Sequence, residues 1–575
     1  MTRKRILSLI GVFLVLVAAP LLAILALTPP VPVPATADEA VFSAERAMRH
    51  VEAIAAAPRP VGSAAHTQAR RHLIAELTHL GLTPEIQSAP IGPKGTADRR
   101  LHNVMVRLRG RASSGAVLLM AHYDSVAAGP GASDNGAAVA ALLEALRALT
   151  GGEKLRNDVI VLFTDAEEAL LVDWKKSSLL GAKAFVESHP WMADVALVLN
   201  FEARGSSGPV IMFETSRASH ALIAELARAL PRPVASSLAP TIYDLLRNDT
   251  DFTHFKRAGK PGFNFAFIDG YGAYHTEHDT IANLDRRSLQ HHGQIALALA
   301  RHFGEVDLRE LGEEGDAGAV YFDLLGRVLV HYPVAWAQGF AVATLLAFVG
   351  VFVVGVRRGR LSVRGVVLGG VFVVGSTVLL AAVVWLVLGG LAAIWGPAVP
   401  KGLLTAGPSP KEIWVVMGLW VLTAGLLAAA IARKPWRLTV ADLAAATTFV
   451  LIVTLVPISF RLPGASYLLQ WSAAFPLASL IWMTAFDNRP IPVSHTLGLM
   501  QAVPIVLIAT PAIYLMYLAL IGMGLPAAIL VVATASWIYI CGFISVVKTG
   551  RSQMVHPSCD NFVLFSKKAH DSFFE

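Results

Sequence analysis

Charged and imidazole side chains stand shortly after four apolar runs of the kind that form buried strands. These runs and the polar residues after them are Val117–Ala121 with His122 and Asp124, Val159–Thr164 with Glu167 and Glu168, Val195–Phe201 with Glu202, and Gly262–Ile268 with Tyr274, His275 and Asp279. In an open α/β sheet the ligand crevice lies outside the carboxyl ends of the strands. We therefore expect these side chains to meet at one edge of one sheet.

A further carboxylate stands in a glycine-rich turn. Asp134 lies within Gly129–Gly136, at the start of a helical pattern that reaches Leu149. Taken alone, an aspartate at this position is more often a helix N-cap than a metal ligand. In the same way, a lone His122 is more often a core or surface imidazole, and the pair Glu167-Glu168 is more often the solvated start of a helix. Taken together, two imidazoles and several carboxylates at one sheet edge would repel or stay unpaired unless a cation lay between them. The joint pattern therefore predicts a metal site.

The ligand types available to this site favour zinc. Both cysteines lie in the last apolar run or in the C-terminal tail, so a transition metal at the sheet edge must be held by His, Asp or Glu. Nitrogen and oxygen ligands without thiolate suit a catalytic zinc, and the carboxylates suffice for a second ion that shares one of them. Asp124 is placed to accept the second N–H of the His122 imidazole, and Asp279 is expected to do the same for His275.

The elements that must position these residues alternate between strands and helices. From residue 29 to residue 332, short apolar β-type runs alternate with amphipathic stretches, which is typical of an α/β domain with a mixed, largely parallel sheet flanked by helices. The pattern also predicts a strand at Val210–Phe213 and helices at Thr67–Leu80, Asp134–Leu149, His220–Leu230 and Leu289–Phe303.

The rest of the chain has the composition of a membrane protein. Of its 575 residues, 54% are hydrophobic and 15% charged, and the mean hydropathy is +0.56, which excludes disordered, fibrous and ordinary soluble classes. Apolar runs near the ~20 residues that a transmembrane helix needs lie at Ile6–Leu27, Ala335–Val356, Val366–Leu391, Ile413–Ile431, Leu443–Ile458, Tyr467–Phe486, Leu497–Leu520 and Leu525–Val547. The first run is expected to be an uncleaved anchor rather than a signal peptide, because it is longer than the apolar segment of a typical signal peptide, which has ~7–15 residues. The α/β domain would thus lie between this anchor and an all-α transmembrane bundle.

The charge pattern predicts the topology. From Pro333 onward there are 15 Lys and Arg but only six Asp and Glu, and alternate threading of the runs places nearly all of these bases on one side. That side is cytoplasmic by the positive-inside rule, so the α/β domain faces outward, and the bases are not read as a nucleic-acid-binding surface. The predicted divisions are an anchor at 1–28, an extracytoplasmic domain at 29–332, about seven membrane helices at 333–550 and a tail at 551–575.

The motifs resemble those of a known family. His122-Tyr-Asp124, Gly131-Ala-Ser-Asp134-Asn-Gly136, Asp165-Ala-Glu167-Glu168, Asn200-Phe-Glu202-Ala-Arg204 and Tyr274-His275-Thr are similar, in order and spacing, to the motif set of the M28 family of zinc peptidases. The match covers roughly Val51–Phe303. The membrane half resembles the multi-spanning branch of that family, which includes vacuolar and endoplasmic reticulum membrane proteases and carries Glu in the fourth motif, as Glu202 does here.

The resemblance implies a role for each matching residue. One zinc would be held by His122, Asp134 and Glu202, and the other by Asp134, Glu168 and His275, with Asp134 bridging. Glu167 would be the general base, and Tyr274 would donate a hydrogen bond to the developing oxyanion. The implied activity is hydrolysis of peptide bonds, most relatives with these motifs being aminopeptidases. The implied partners are a peptide substrate and the lipid bilayer, without nucleic acid.

One segment departs from the family pattern, and several alternatives stay open. Relatives pass within a few residues from the paired Glu to Leu-Gly-Ala/Ser, whereas here Ala169–Ser178 intervenes before Leu179-Leu-Gly181-Ala. Within it, Val172–Ser178 is expected to loop outward over the crevice. The alternatives are a catalytically inactive receptor or scaffold, a glutaminyl-cyclase-like acyl transfer at a single zinc, and a transporter, which the scarcity of ionisable residues within the spans disfavours. The sequence does not fix the oligomeric state or which membrane holds the protein.

Overall fold

The predicted sheet lies at the centre of the α/β domain. The computed structural model describes residues 25–91, 100–168, 178–216, 219–244, 248–312, 318–395 and 439–485, with positions 18, 21, 22, 507, 508, 511, 512 and 514. Seven strands form the sheet: β1 Glu85–Pro90, β2 Arg100–Leu108, β3 Ala116–His122, β4 Asp158–Thr164, β5 Val195–Ala203, β6 Ser207–Thr215 and β7 Gly262–Asp269. Their order is β1-β2-β4-β3-β5-β7-β6. Strands β4, β3, β5 and β7 pair in parallel, and β2 and β6 pair antiparallel on either side. The prediction of a mixed sheet is confirmed.

Helices cover both faces of this sheet. They are α1 Ala44–Ile54, α2 Ala64–His79, α3 Ala138–Thr150, α4 Leu180–Ser188, α5 His220–Ala229, α6 Leu238–Tyr243, α7 Phe252–Arg257 and α8 Arg286–Phe303. All residues of β3 and β4 are buried, as expected for parallel strands covered on both faces. Val117 and Leu119 pack toward α1, α3 and α8, whereas Leu118 and Met120 pack toward α4 and α7. The continuous apolar runs thus follow from burial on both faces.

Three helix starts differ from the sequence prediction for local reasons. Helix α8 begins three residues earlier than predicted, because the carboxylate of Asp285 accepts the N–H of Arg287 and caps the first turn. Helix α2 begins three residues earlier than predicted, because the hydroxyl of Ser63 accepts the N–H of His66 and caps the first turn. Helix α3 begins four residues later than predicted, because Asp134 and Asn135 have non-helical backbone angles within the turn Ala132–Ala137. Asp134 therefore does not cap α3, and its carboxylate is available for another role.

A hairpin joins the α/β domain to the apolar helices. Strands β8 Ala319–Leu324 and β9 Val328–Pro333 pair antiparallel and lead directly into α9 Val334–Arg357, which is followed by α10 Val363–Trp395, α11 Val440–Arg461 and α12 Ser466–Ala485. Within the described residues, three stretches are long and apolar enough to cross a membrane: Val334–Arg357, Ala441–Arg461 and Pro463–Ala485. Four predicted spans fall on α9 to α12. The spans predicted at Ile413–Ile431 and Leu525–Val547, and nearly all of those at Ile6–Leu27 and Leu497–Leu520, lie outside the described residues.

The short helix α6 rests on the turn between α11 and α12, residues Leu462–Ala465. The hydroxyl of Ser237, just before α6, donates a hydrogen bond of 2.8 Å to the carbonyl of Gly464. The hydroxyls of Ser236 and Tyr467 are 2.7 Å apart. The turn approaches so closely that a Cβ on Gly464 would lie 2.4 Å from the carbonyl oxygen of Ser237. This contact fixes α6 against the apolar helices.

Candidate metal centre

The predicted site residues lie at the carboxyl edge of the parallel strands. His122 is the last residue of β3, and Glu202 lies one residue before the end of β5. Glu167 and Glu168 follow β4, and His275 follows β7 after a short 3-10 turn. Because β3, β4, β5 and β7 run in one direction, their ends bring these side chains to one place, as the sequence predicts.

Asp134 lies between the two imidazoles. Its Oδ1 is 3.1 Å from Nε2 of His122, and its Oδ2 is 3.2 Å from Nε2 of His275. An oxygen of Glu202 is 3.5 Å from the same nitrogen of His122, and an oxygen of Glu168 is 3.2 Å from that of His275. These residues form two groups, one of His122, Asp134 and Glu202 and the other of Asp134, Glu168 and His275. In each group, every residue offers one ligand atom, and these atoms all lie within 4.8 Å of one another. The structure thus brings together all five residues predicted as ligands.

The electrostatics of this cluster fit a cation. Burial alone would lower the pKa of His122, but the carboxylates around it, Glu167 foremost, raise that pKa well above its usual value. Burial also opposes protonation of His275, yet Asp134 and Glu168 raise its pKa to about 10. Protons on these imidazoles offset the charge of the buried carboxylates, and a metal ion would take over that role on displacing them. Imidazole nitrogens and carboxylate oxygens are also donors that suit zinc.

Glu167 lies beside both predicted ligand sets. Its carboxylate forms a further group with His122 and Glu168, with ligand atoms within the same 4.8 Å. Burial raises the pKa of Glu167 well above its usual value; His122 opposes this shift, and Glu202 adds to it. A carboxylate at this position can exchange a proton with a water molecule between it and the ligands.

Asp124 lies beside the His122 imidazole and supports the backbone of the glutamate pair. One of its oxygens is 3.5 Å from Nδ1 of His122, which is the predicted partner but is beyond a normal hydrogen-bond distance. Its two oxygens accept the backbone N–H groups of Glu167 and Glu168, at 3.2 and 3.1 Å. Asp124 thereby fixes the backbone of the segment that follows β4.

Asp279 has a different contact from the one predicted. Its oxygens accept the backbone N–H groups of Ser133 and Asp134, at 2.7 and 2.9 Å, rather than orienting His275. The prediction rested on its position four residues after His275 in the sequence. In the fold, the chain turns so that Asp279 reaches the glycine-rich turn and holds Asp134 in place.

Arg59 is a supporting residue that the sequence analysis did not identify. Its buried guanidinium donates to the carbonyls of Tyr123, at 2.7 Å, and Gly131, at 2.9 Å, and also bonds the carbonyl of Pro130. It therefore ties the end of β3 to the turn that contains Asp134. Arg59 stands in the connection between α1 and α2, and no local motif there signals this role.

Two asparagines hold the carboxylate of Glu202. The side-chain amide of Asn200 donates to Oε1 of Glu202 at 3.0 Å, and that of Asn135 donates to Oε2 at 3.1 Å. Both asparagines are buried. Asn135 directly follows Asp134, and Asn200 lies two residues before Glu202, so both asparagines are part of the motifs quoted above. Their place in these motifs is the signal that could have identified them.

A cleft of about 410 Å³ opens at this cluster and is lined by all seven residues predicted for ligation or catalysis. The ring of Tyr274 stacks on His275 with centroids 3.8 Å apart, and the guanidinium of Arg204 lies 5.8 Å from the Tyr274 ring centre. Burial raises the pKa of Tyr274 well above its usual value, so its hydroxyl remains a hydrogen-bond donor. The cleft is also lined by Phe213 of β6 and Tyr243 of α6.

The segment Val172–Ser178, predicted to loop over the crevice, lies outside the described residues except for Ser178. The backbone on its two sides is joined: Leu179 and Leu180 donate to the carbonyls of Glu167 and Ala166, both at 2.9 Å. Ser178 and Leu179 also line the cleft. The glutamate pair is thus fixed from both sides by backbone contacts.

Comparisons with known proteins agree with the family that the motifs resemble. Residues 103–300 match the model of Peptidase family M28. The chain is 34% identical over 237 residues to endoplasmic reticulum metallopeptidase 1 of Homo sapiens, covering 40% of this chain and 25% of that protein. It is 34% identical over 228 residues to the vacuolar membrane protease of Candida dubliniensis, covering 39% and 23%.

The chain thus spans about a quarter of the length of these curated relatives. Among solved structures, a glutaminyl cyclase from Porphyromonas gingivalis aligns with a TM-score of 0.37 and 21% identity, covering 48% of this chain and 100% of that one. The family match includes all four predicted strand-end segments and the turn with Asp134. Residues 103–300 therefore form a domain of peptidase family M28, a family of metallopeptidases.

Proposed function

We propose that this protein is a membrane-bound dizinc aminopeptidase. The observation that carries the proposal is the position of the Asp134 carboxylate between His122 and His275, with Glu202 and Glu168 completing two sets of three ligands. The family match supports peptide hydrolysis. The preference for N-terminal residues rests on the resemblance of the motifs.

The proposed mechanism assigns a step to each residue of the cleft. When bound, zinc lowers the pKa of a water molecule and polarises the scissile carbonyl. Glu167, beside both ligand sets, takes a proton from the attacking water and returns it to the leaving amine. Tyr274 donates a hydrogen bond to the carbonyl oxygen as it becomes negative, which contributes about 2.7–4 kcal/mol in comparable sites.

The same proposal places the domain at 29–332 on the extracytoplasmic or luminal side, between the anchor at 1–28 and the membrane domain at 333–550, with the tail at 551–575. The excess of Lys and Arg over Asp and Glu after Pro333 supports this topology. A reporter inserted within Arg433–Arg437 should be cytoplasmic, and one inserted near Gly95 should not. Both sites lie outside the described residues, and finding both reporters on one side would contradict this topology.

The decisive test combines metal analysis of the purified full-length protein with hydrolysis of a panel of aminoacyl reporters. Two zinc ions per chain at the sheet edge, counted as the ions lost on Asp134→Asn, and release of N-terminal residues would support the proposal. One zinc at the sheet edge with cyclisation of N-terminal glutamine would indicate acyl transfer instead. Bound metal without turnover on any reporter or peptide would indicate a receptor or scaffold.

A further inference from the structure

A second cluster of metal-binding side chains lies away from the cleft, where α1 and α2 face each other. His50 of α1 and His72 and Glu76 of α2 each offer one ligand atom, all within 4.8 Å of one another. His72 and Glu76 are four residues apart and therefore lie on one face of their helix. All three side chains are half-buried, so a bound ion could keep a water ligand.

The spacing of the two imidazoles suits a shared zinc ion. Nδ1 of His50 and Nε2 of His72 are 3.2 Å apart. Two nitrogens each bound to one tetrahedral zinc at 2.0–2.1 Å lie about 3.3 Å from each other. The imidazoles would therefore need little movement to bind an ion, and Glu76 supplies a third ligand. Two histidines and one glutamate with an open position form a known type of zinc site.

The protonation state of this cluster differs from that of the sheet edge. Burial lowers the pKa of His50 to about 4, with Glu76 opposing the shift and His72 and Arg49 adding to it. Burial also lowers the pKa of His72. Both imidazoles are thus neutral at pH 7, the form that binds metals. The nearby cation, Arg49, is exposed, and its Nε donates at 3.4 Å to the carbonyl of Arg46.

We propose that His50, His72 and Glu76 bind a zinc ion that cross-links α1 and α2, independently of the ions at the sheet edge. The connection between these helices carries Arg59, whose guanidinium holds the carbonyls of Pro130 and Gly131. An ion at this position restrains the helix pair that presents Arg59. Its effect is on stability and on the support of the turn, and it takes no part in bond cleavage.

The test compares zinc binding by the full-length wild type with that of His50→Gln and His72→Gln, using equilibrium dialysis against zinc and metal analysis. Each variant should bind one zinc ion fewer per chain than wild type and should retain turnover. The matched control is His331→Gln. His331 and His220 have nitrogens 3.1 Å apart, but among the described residues no carboxylate joins them in such a group. The control should bind as much zinc as wild type.

Hydrogen exchange of the wild type supplies a readout that does not depend on folding of a variant. Added zinc should slow exchange in peptides from residues 44–79, and His50→Gln should abolish that response. Cobalt should show tetrahedral absorption bands in the wild type that are weakened in His72→Gln. Equal zinc content in wild type and both variants, or no zinc-dependent protection of residues 44–79, would overturn the proposal and leave the contact as a hydrogen bond between imidazoles.

Discussion

Replacement of Arg59 by glutamine should loosen the turn that carries Asp134. The guanidinium reaches three carbonyl oxygens, those of Tyr123, Pro130 and Gly131, from a fully buried position. Glutamine is too short to serve all three, and each buried carbonyl left without a donor costs about 1–3 kcal/mol. With partial replacement by water, we expect a loss of about 3–6 kcal/mol in the free energy of unfolding.

This loss should be measurable in two ways. At about 2–4 °C per kcal/mol for a domain of this size, the Tm should fall by about 6–24 °C. Zinc affinity should weaken by about 10–100-fold, the range typical of residues that support metal ligands. Differential scanning fluorimetry and competition with a chelator measure these effects. The matched control is Arg71→Gln, since Arg71 is exposed on α2. A variant of Arg59 with wild-type Tm and metal affinity would refute the reasoning.

Four further predictions concern the chemistry and the walls of the cleft. Glu167→Gln should lower kcat about 10²–10⁴-fold while zinc content, measured by metal analysis, stays at the wild-type value; loss of zinc would show that Glu167 is a ligand. Asp134→Asn should lose turnover and the zinc ions of the sheet edge, and a variant with full metal content would contradict the bridging role. Excision of Val172–Ser178 should keep zinc and turnover but change KM or side-chain preference on one substrate panel; turnover that appears only after excision would show that this segment blocks the site. Gly464→Val should raise KM without changing zinc content, because its side chain would meet the backbone that leads into α6, whereas Gly339→Val, where nothing lies within 4 Å, should leave KM unchanged.

The central sheet could be predicted because its burial is visible in the sequence. Strands β3, β4, β5 and β7 are apolar along most of their length, and the residues at their ends are polar, which indicates both strand and site. Strands β1 and β2 were not predicted. β1 lies at the edge of the sheet and carries exposed polar residues. β2 has one exposed end, one half-buried end and a buried centre that includes polar residues, so neither strand forms an apolar run.

The supporting residues could be predicted only in part, because their contacts are long-range. Arg59 reaches a turn some 70 residues further along the chain, and nothing near it in the sequence indicates a buried cation. Asp279 was assigned to His275 by proximity in sequence, but the fold turns its carboxylate to the backbone of Ser133 and Asp134. Sequence position predicted well which side chains come together at the strand ends, because the sheet itself fixes where those ends meet.

The position of α6 has a consequence for how substrates reach the cleft. This helix supplies Tyr243 to the cleft lining. The segment leading into it bonds the turn before α12, so one short helix connects the cleft to the apolar helices. In the proposed topology, a peptide whose other end is held in the same bilayer would be presented to the cleft at a high effective concentration. Such a tethered peptide would be cleaved faster than the same peptide free in solution, without any additional contact to the protein.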